Sequence, residues 1–78
     1  LTFKEQRELD ALPSELEALE AEQLAVSEAM SGPDYHKRGA VALKSDRERA
    51  VEIERLLAER YARWDELEAK AAEVAKAR

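Results

Sequence analysis

Two ladders of apolar residues, each stepping alternately by three and four, dominate this chain. The first reads Leu9, Leu12, Leu16, Leu19, Gln23, Val26, Met30. The second reads Leu43, Asp46, Ala50, Ile53, Leu57, Arg60, Trp64, Leu67, Ala71, Val74, with several polar or small rungs. A seam that recurs every ~3.5 residues must be covered by another helix. Only the stretch Ser31–Gly39 separates the ladders, and it holds both glycines and one of the two prolines. A connection that short makes each ladder the partner of the other. The expected fold is all-α, an antiparallel two-helix coiled-coil hairpin.

Local signals set the expected boundaries within a single domain, 1–78. Thr2-Phe3-Lys4-Glu5 has capping-box spacing, so a helix begins there. Pro13 removes an amide donor and disfavours helical geometry at Leu12, and Ser14-Glu15-Leu16-Glu17 repeats the box just beyond it. The reading is a short helix over 1–12, kinked at Pro13, and a main helix over 14–31. Gly32 is the expected left-handed stop with Pro33 behind it, in a turn over 32–39. The second helix is expected over 40–77. A third box at Ser45-Asp46-Arg47-Glu48 allows a hesitant first turn, and fraying is expected from Ala71 onward. If Met30 faces Leu43, the numbers of facing residues add to about 73. Leu16 then meets Leu57, and Leu19 meets Ile53. The rungs at Gln23, Ala50 and Asp46 are weak, so the tip half should be looser than the base. Tyr61 can take the place of Arg60 on the seam. Tyr61 and Trp64 read as core packing.

Composition narrows the function classes. Charged residues make up 40% of the 78 and aromatics 5%, a balance that suits a thin helical hairpin and not a compact α/β enzyme. There is no cysteine, hence no disulfide and no thiolate chemistry, which fits a reducing compartment. No apolar run is long enough for a membrane span. The chain opens in mid-pattern and reads as a domain cut from a longer protein. His36 is the one histidine and reads as a solvated loop residue, so no metal site is expected. No phosphate-binding glycine loop or nucleophile elbow occurs, so no catalytic residue is assigned.

The net charge of -5 is unevenly spread. Residues 13–31 hold five acids and no base. Residues 37–63 hold eight bases and five acids. In mid-helix the bases have the acids of the other helix to pair with. At the tip no acidic stretch stands opposite, and a polyanion-binding face is the reading there. Tyr35 lies among His36, Lys37 and Arg38, an arrangement that suits base stacking with phosphate contact. The alternative for Tyr35 is a ring folded back over Met30 and Leu43. The candidate nucleic-acid-binding residues are Tyr35, His36, Lys37, Arg38, Lys44, Arg47 and Arg49.

The opening Leu1-Thr2-Phe3-Lys4-Glu5-Gln6-Arg7-Glu8-Leu9-Asp10-Ala11-Leu12-Pro13 resembles the start of the C-terminal coiled-coil domain of Uup-type ABC-F ATPases. Pro33-Asp34-Tyr35 at the turn and Tyr61-Ala62-Arg63-Trp64-Asp65-Glu66-Leu67-Glu68 near the end agree. Gln23, Asp46 and Ala50 depart from the family's aliphatic pattern, and Gly39 replaces its acidic turn residue, which implies a weaker tip half. The resemblance implies a non-catalytic, monomeric appendage of a soluble cytoplasmic protein with two ATP-binding cassettes. The parent would be an ATPase needing ATP and magnesium, none of whose nucleotide-binding motifs stands here. The appendage would target it to DNA or structured ribosomal RNA, possible contacts being the ribosome and the cassettes of the same chain. The alternative function is a structural or protein-interaction arm docking on the cassettes or on ribosomal proteins.

Overall fold

The computed structural model describes residues 1–76. Helix α1 spans Phe3–Met30 and helix α2 spans Ala40–Lys76, with a short 3-10 helix, Tyr35–Arg38, between them. The body measures 60 × 16 × 15 Å, the length of the longer helix and the width of two. The end of the expected second helix, at Ala77, lies outside the described residues.

Helix α1 starts as its sequence dictates. The Thr2 hydroxyl accepts from the Glu5 amide and the Glu5 carboxylate accepts from the Thr2 amide, both at 3.1 Å. The expected break into 1–12 and 14–31 is absent: α1 runs without interruption through Pro13. A proline inside a helix costs about 3 kcal/mol. Leu12 and Leu16, on either side of it, are both buried against α2, while Pro13 itself faces solvent. Burial of the flanking leucines therefore outweighs the local preference, and Ser14 is not a cap.

The turn corrects a second expectation. Gly32 does not adopt a left-handed conformation; Gly39 does, with φ 91°. Helix α1 ends instead on Ser31, whose backbone stays right-handed and whose hydroxyl donates to the Ser27 carbonyl at 2.9 Å. The chain then closes two tight turns, Tyr35 N–H to the Gly32 carbonyl and Lys37 N–H to the Asp34 carbonyl. At Gly39 the backbone reverses, and its carbonyl accepts from the Leu43 amide to begin α2. Ser45 therefore lies inside α2 and caps nothing.

The core is small and sits in the base half. Leu12, Leu16 and Leu19 of α1 and Ile53 and Leu67 of α2 are its buried members. Toward the tip, Val26, Met30, Leu43 and Ala50 are only half-buried, and Gln23 points to solvent. The expected exchange of Arg60 for Tyr61 on the seam does not occur. Tyr61 is 43% exposed, while Arg60 is half-buried with its Nε out of reach of both water and partner. Tyr61 stacks on Trp64 instead, ring centroids 6.3 Å apart, and its hydroxyl donates to Glu20.

Two stability outcomes follow. Ile53→Ala should cost about 2–5 kcal/mol, clearly more than Leu43→Ala on the half-buried tip rung. Gly39→Ala should cost about 1–3 kcal/mol from backbone strain alone, because φ 91° with ψ 156° is a region essentially confined to glycine, and nothing lies within 4 Å of the added methyl. Urea unfolding of the three variants measures both, and equal losses at positions 53 and 43 would contradict the placement of the core.

Candidate nucleic-acid interface at the hairpin tip

The electrostatics of the tip depend on how the two helices use their charges along the shaft. Four carboxylate–cation pairs cross from α1 to α2. Glu5 meets Lys70 at 2.7 Å, Glu8 meets Arg63 at 2.7 Å, Glu15 meets Arg60 at 3.5 Å and Glu22 meets Arg49 at 2.5 Å. Their residue numbers add to 75, 71, 75 and 71, on either side of the 73 expected for the seam. Glu8, Glu15 and Glu22 recur every seven residues, and Arg49, Arg63 and Lys70 differ by multiples of seven, so the pairs line one edge of the apolar seam and the spread in the sums is an offset along the axis. Arg63 and Arg49 each grip their glutamate with two nitrogens, the stronger and more directional mode. Arg55 stays within α2, between Glu52 and Glu59.

These contacts shift the acids. The Lys70 ammonium, then the Thr2 amide and hydroxyl, hold Glu5 down to about 2. The hydrogen bonds from Arg63 and Arg49 hold Glu8 and Glu22 below the ordinary glutamate value of 4.5. The hydrogen-bonded carboxylate of Glu20 pushes the Tyr61 phenol up.

The seven candidate residues divide in two. Tyr35, His36, Lys37 and Arg38 form the 3-10 helix, and Lys44, Arg47 and Arg49 lie on the first turns of α2. Arg38 is tied to Asp46 at 2.5 Å, and Arg49 to Glu22 as above. Neither pair was assigned from the sequence: Glu22 and Arg49 add to 71, off the 73 of the seam, and the Arg38–Asp46 pair links the 3-10 helix to α2 with no periodic signal. Lys37 and Lys44 keep only loose local contacts, at 3.2 Å to Asp34 and 3.9 Å to Glu48, with side chains 78% and 77% exposed. Pairs of that kind contribute little and are easily exchanged. Arg47 is exposed and, among the described residues, has no ion-pair partner within 4.0 Å. His36 is exposed beside them. Tyr35 is half-buried and its hydroxyl oxygen is shielded from solvent without a hydrogen-bond partner. That orientation fits a ring folded back onto the hairpin better than an exposed stacking platform. Among the described residues no three His, Asp or Glu side chains converge in a way that could hold a metal ion, and no helix is long and apolar enough to cross a membrane.

A family model described as the ABC transporter C-terminal domain matches residues 1–69. No curated protein and no solved structure matches the chain.

The shaft pairs set an acid limit. Glutamates whose folded pKa is depressed contribute stability above their unfolded value of 4.5 and lose it as pH falls toward about 2, where Glu5 protonates in the fold. The melting temperature should therefore drop between about pH 4.5 and pH 2. Glu5→Gln should lower it at neutral pH and flatten the acid fall; an unchanged acid profile would contradict the Lys70 contact.

Proposed function

The chain belongs to the ABC transporter C-terminal domain family, and from that membership we propose that it is a nucleic-acid-binding hairpin appended to an ATP-binding protein of the Uup-type ABC-F branch. In this reading it acts as a single copy in the cytoplasm. It holds the tip against DNA or structured ribosomal RNA and so directs the parent to its target. Hydrolysis would belong to the ATP-binding cassettes of the parent, which would bind ATP and magnesium. The present residues include no phosphate-binding loop and take no part in that chemistry.

The observation that carries the reading is the unequal use of cations. Along the shaft, four of the bases are occupied by carboxylates of the other helix. At the tip, Lys37, Lys44 and Arg47 extend into solvent with no strong partner. A phosphate backbone replaces weak local contacts there without breaking the hairpin. Phosphate contacts of this sort attract without reading sequence.

A second reading, an arm that docks on the cassettes or on ribosomal proteins, has its own support. Arg38 and Arg49 are already neutralised by Asp46 and Glu22. The ring of Tyr35 is turned inward.

Binding to duplex DNA should be weak and salt-sensitive. Three phosphate contacts correspond to a slope of about -2.7 in log K against log salt. Replacing Lys37, Lys44 and Arg47 together by Gln should flatten that slope and remove most of the binding, with helicity unchanged by circular dichroism. Arg38→Gln or Arg49→Gln alone should do less. Duplex DNA, single-stranded DNA and ribosomal RNA titrated in parallel identify the polyanion. If the triple variant binds all of them as the parent sequence does, the tip is not the reader and the protein-docking arm takes its place.

A further inference from the structure

The weak rung at Gln23 and Ala50 leaves a gap in the hairpin. Ala50 is too small to cross the seam, and Gln23 turns out to solvent. The result is an open groove of about 480 Å³ along the tip half of α1, floored by Val26, Met30 and Ala50. Leu24 stands on its lip at 61% exposure. An apolar side chain that exposed, beside an unfilled apolar floor, marks a surface complementary to something else.

The charges around the groove say what that is. Its ionisable lining residues are Glu20 and Glu54. Glu17, Glu20, Leu24 and Glu28 follow one another at steps of three and four, so they share one face of α1. Between Arg7 and Lys37 the chain has no Lys or Arg at all. Of these acids, Glu20 accepts from Tyr61, while Glu17, Glu28 and Glu54 have no ion pair among the described residues. The α1 wall from Glu20 to Ser31 is about 16 Å long at 1.5 Å per residue, which matches three turns of a third helix.

We propose that this groove is a docking site for a cationic amphipathic helix of another protein. Apolar anchors at i, i+4 and i+7 would fill the gap over Ala50 and Met30, and Lys or Arg side chains would meet Glu20, Glu28 and Glu54. The groove shares no lining residue with Lys37, Lys44 or Arg47, although Arg47 stands one heptad before Glu54 on the same edge of α2.

The test uses the 78-residue chain and a synthetic Leu/Lys amphipathic peptide of about 14 residues, long enough to form helix on binding. A peptide of the same pattern with Glu in place of Lys is the control. The Lys peptide should bind and shift the amide resonances of Leu24, Ser27, Met30 and Ala50, and the Glu peptide should not. Ala50→Leu, which fills the gap, should weaken binding at least about tenfold, as loss of one buried anchor does. Because that change also alters a seam rung, Glu54→Lys on the exposed lip provides a second arm and should weaken binding about threefold. Equal binding of the two peptides, shifts confined to the base or the tip, or an Ala50→Leu variant that binds undiminished would each overturn the proposal. So would self-association of the chain through the same residues, which would make a second copy the occupant.

Discussion

Everything else in this molecule rests on the burial of five aliphatic side chains between two helices. Leu12, Leu16 and Leu19 close on Ile53 and Leu67, and no third element covers them among the described residues. Neither helix could keep those side chains out of water alone, so the hairpin and its core form together. The same burial carries α1 through Pro13. The lost hydrogen bond and ring clash there cost less than exposing the leucines on either side would. A domain with so few buried residues is also one in which each of them matters, which is why the proline is tolerated on the solvent face and not on the seam.

The charged residues line the edge of that core and leave a remainder. Glu8, Glu15 and Glu22 recur every seven residues, so a slip by one heptad would carry Glu8 to Lys70 and Glu15 to Arg63 and exchange such pairs rather than abolish them. Half-exposed pairs of this kind contribute little individually, and the buried set Leu12, Leu16, Leu19, Ile53 and Leu67 has to choose the alignment. Cations committed to the shaft are unavailable for binding. Among the described residues, Lys37, Lys44 and Arg47 remain at the tip, Lys4 and Arg7 remain at the base, and Glu17, Glu28 and Glu54 stand without an ion pair around the groove. The tip and the groove have opposite sign, so they suit partners of opposite sign.

Much of this was legible in the sequence. Strict three-four alternation gave the helices, their antiparallel pairing and the register near 73, and Thr2-x-x-Glu5 gave the first cap. The misreadings have a common cause: local rules lost to tertiary packing. Pro13 and Ser14 look like a boundary only if the leucines around them are ignored. Gly32-Pro33 looks like the left-handed stop, but the strained residue is Gly39, where the chain must reverse into α2. Tyr61 was placed on the seam for its size, yet the long stem of Arg60 fills that position and the aromatic ring lies outside, against Trp64. At the site, exposure separated the candidates more sharply than residue type could. Arg38 and Arg49 read as phosphate ligands until their carboxylate partners are seen, and nothing periodic announces Asp46 as a partner for Arg38. The groove was half-visible, since Gln23 and Ala50 were recognisably poor rungs, but its acidic rim emerges only once the exposed face of α1 is known.

The central claim is that one chain supplies both halves of the seam in a single register. Spin labels at Ala18 and Ala58, both exposed and nearly level across the hairpin, test it directly. Helix axes in contact lie about 8–10 Å apart, so the labels should give one narrow distance distribution centred on the order of 20 Å once the label arms are added. Diluting labelled protein with an excess of unlabelled protein should leave that distribution unchanged. A broad or double distribution would mean the register is not fixed, and a signal that vanishes on dilution would mean the partner helix comes from another molecule.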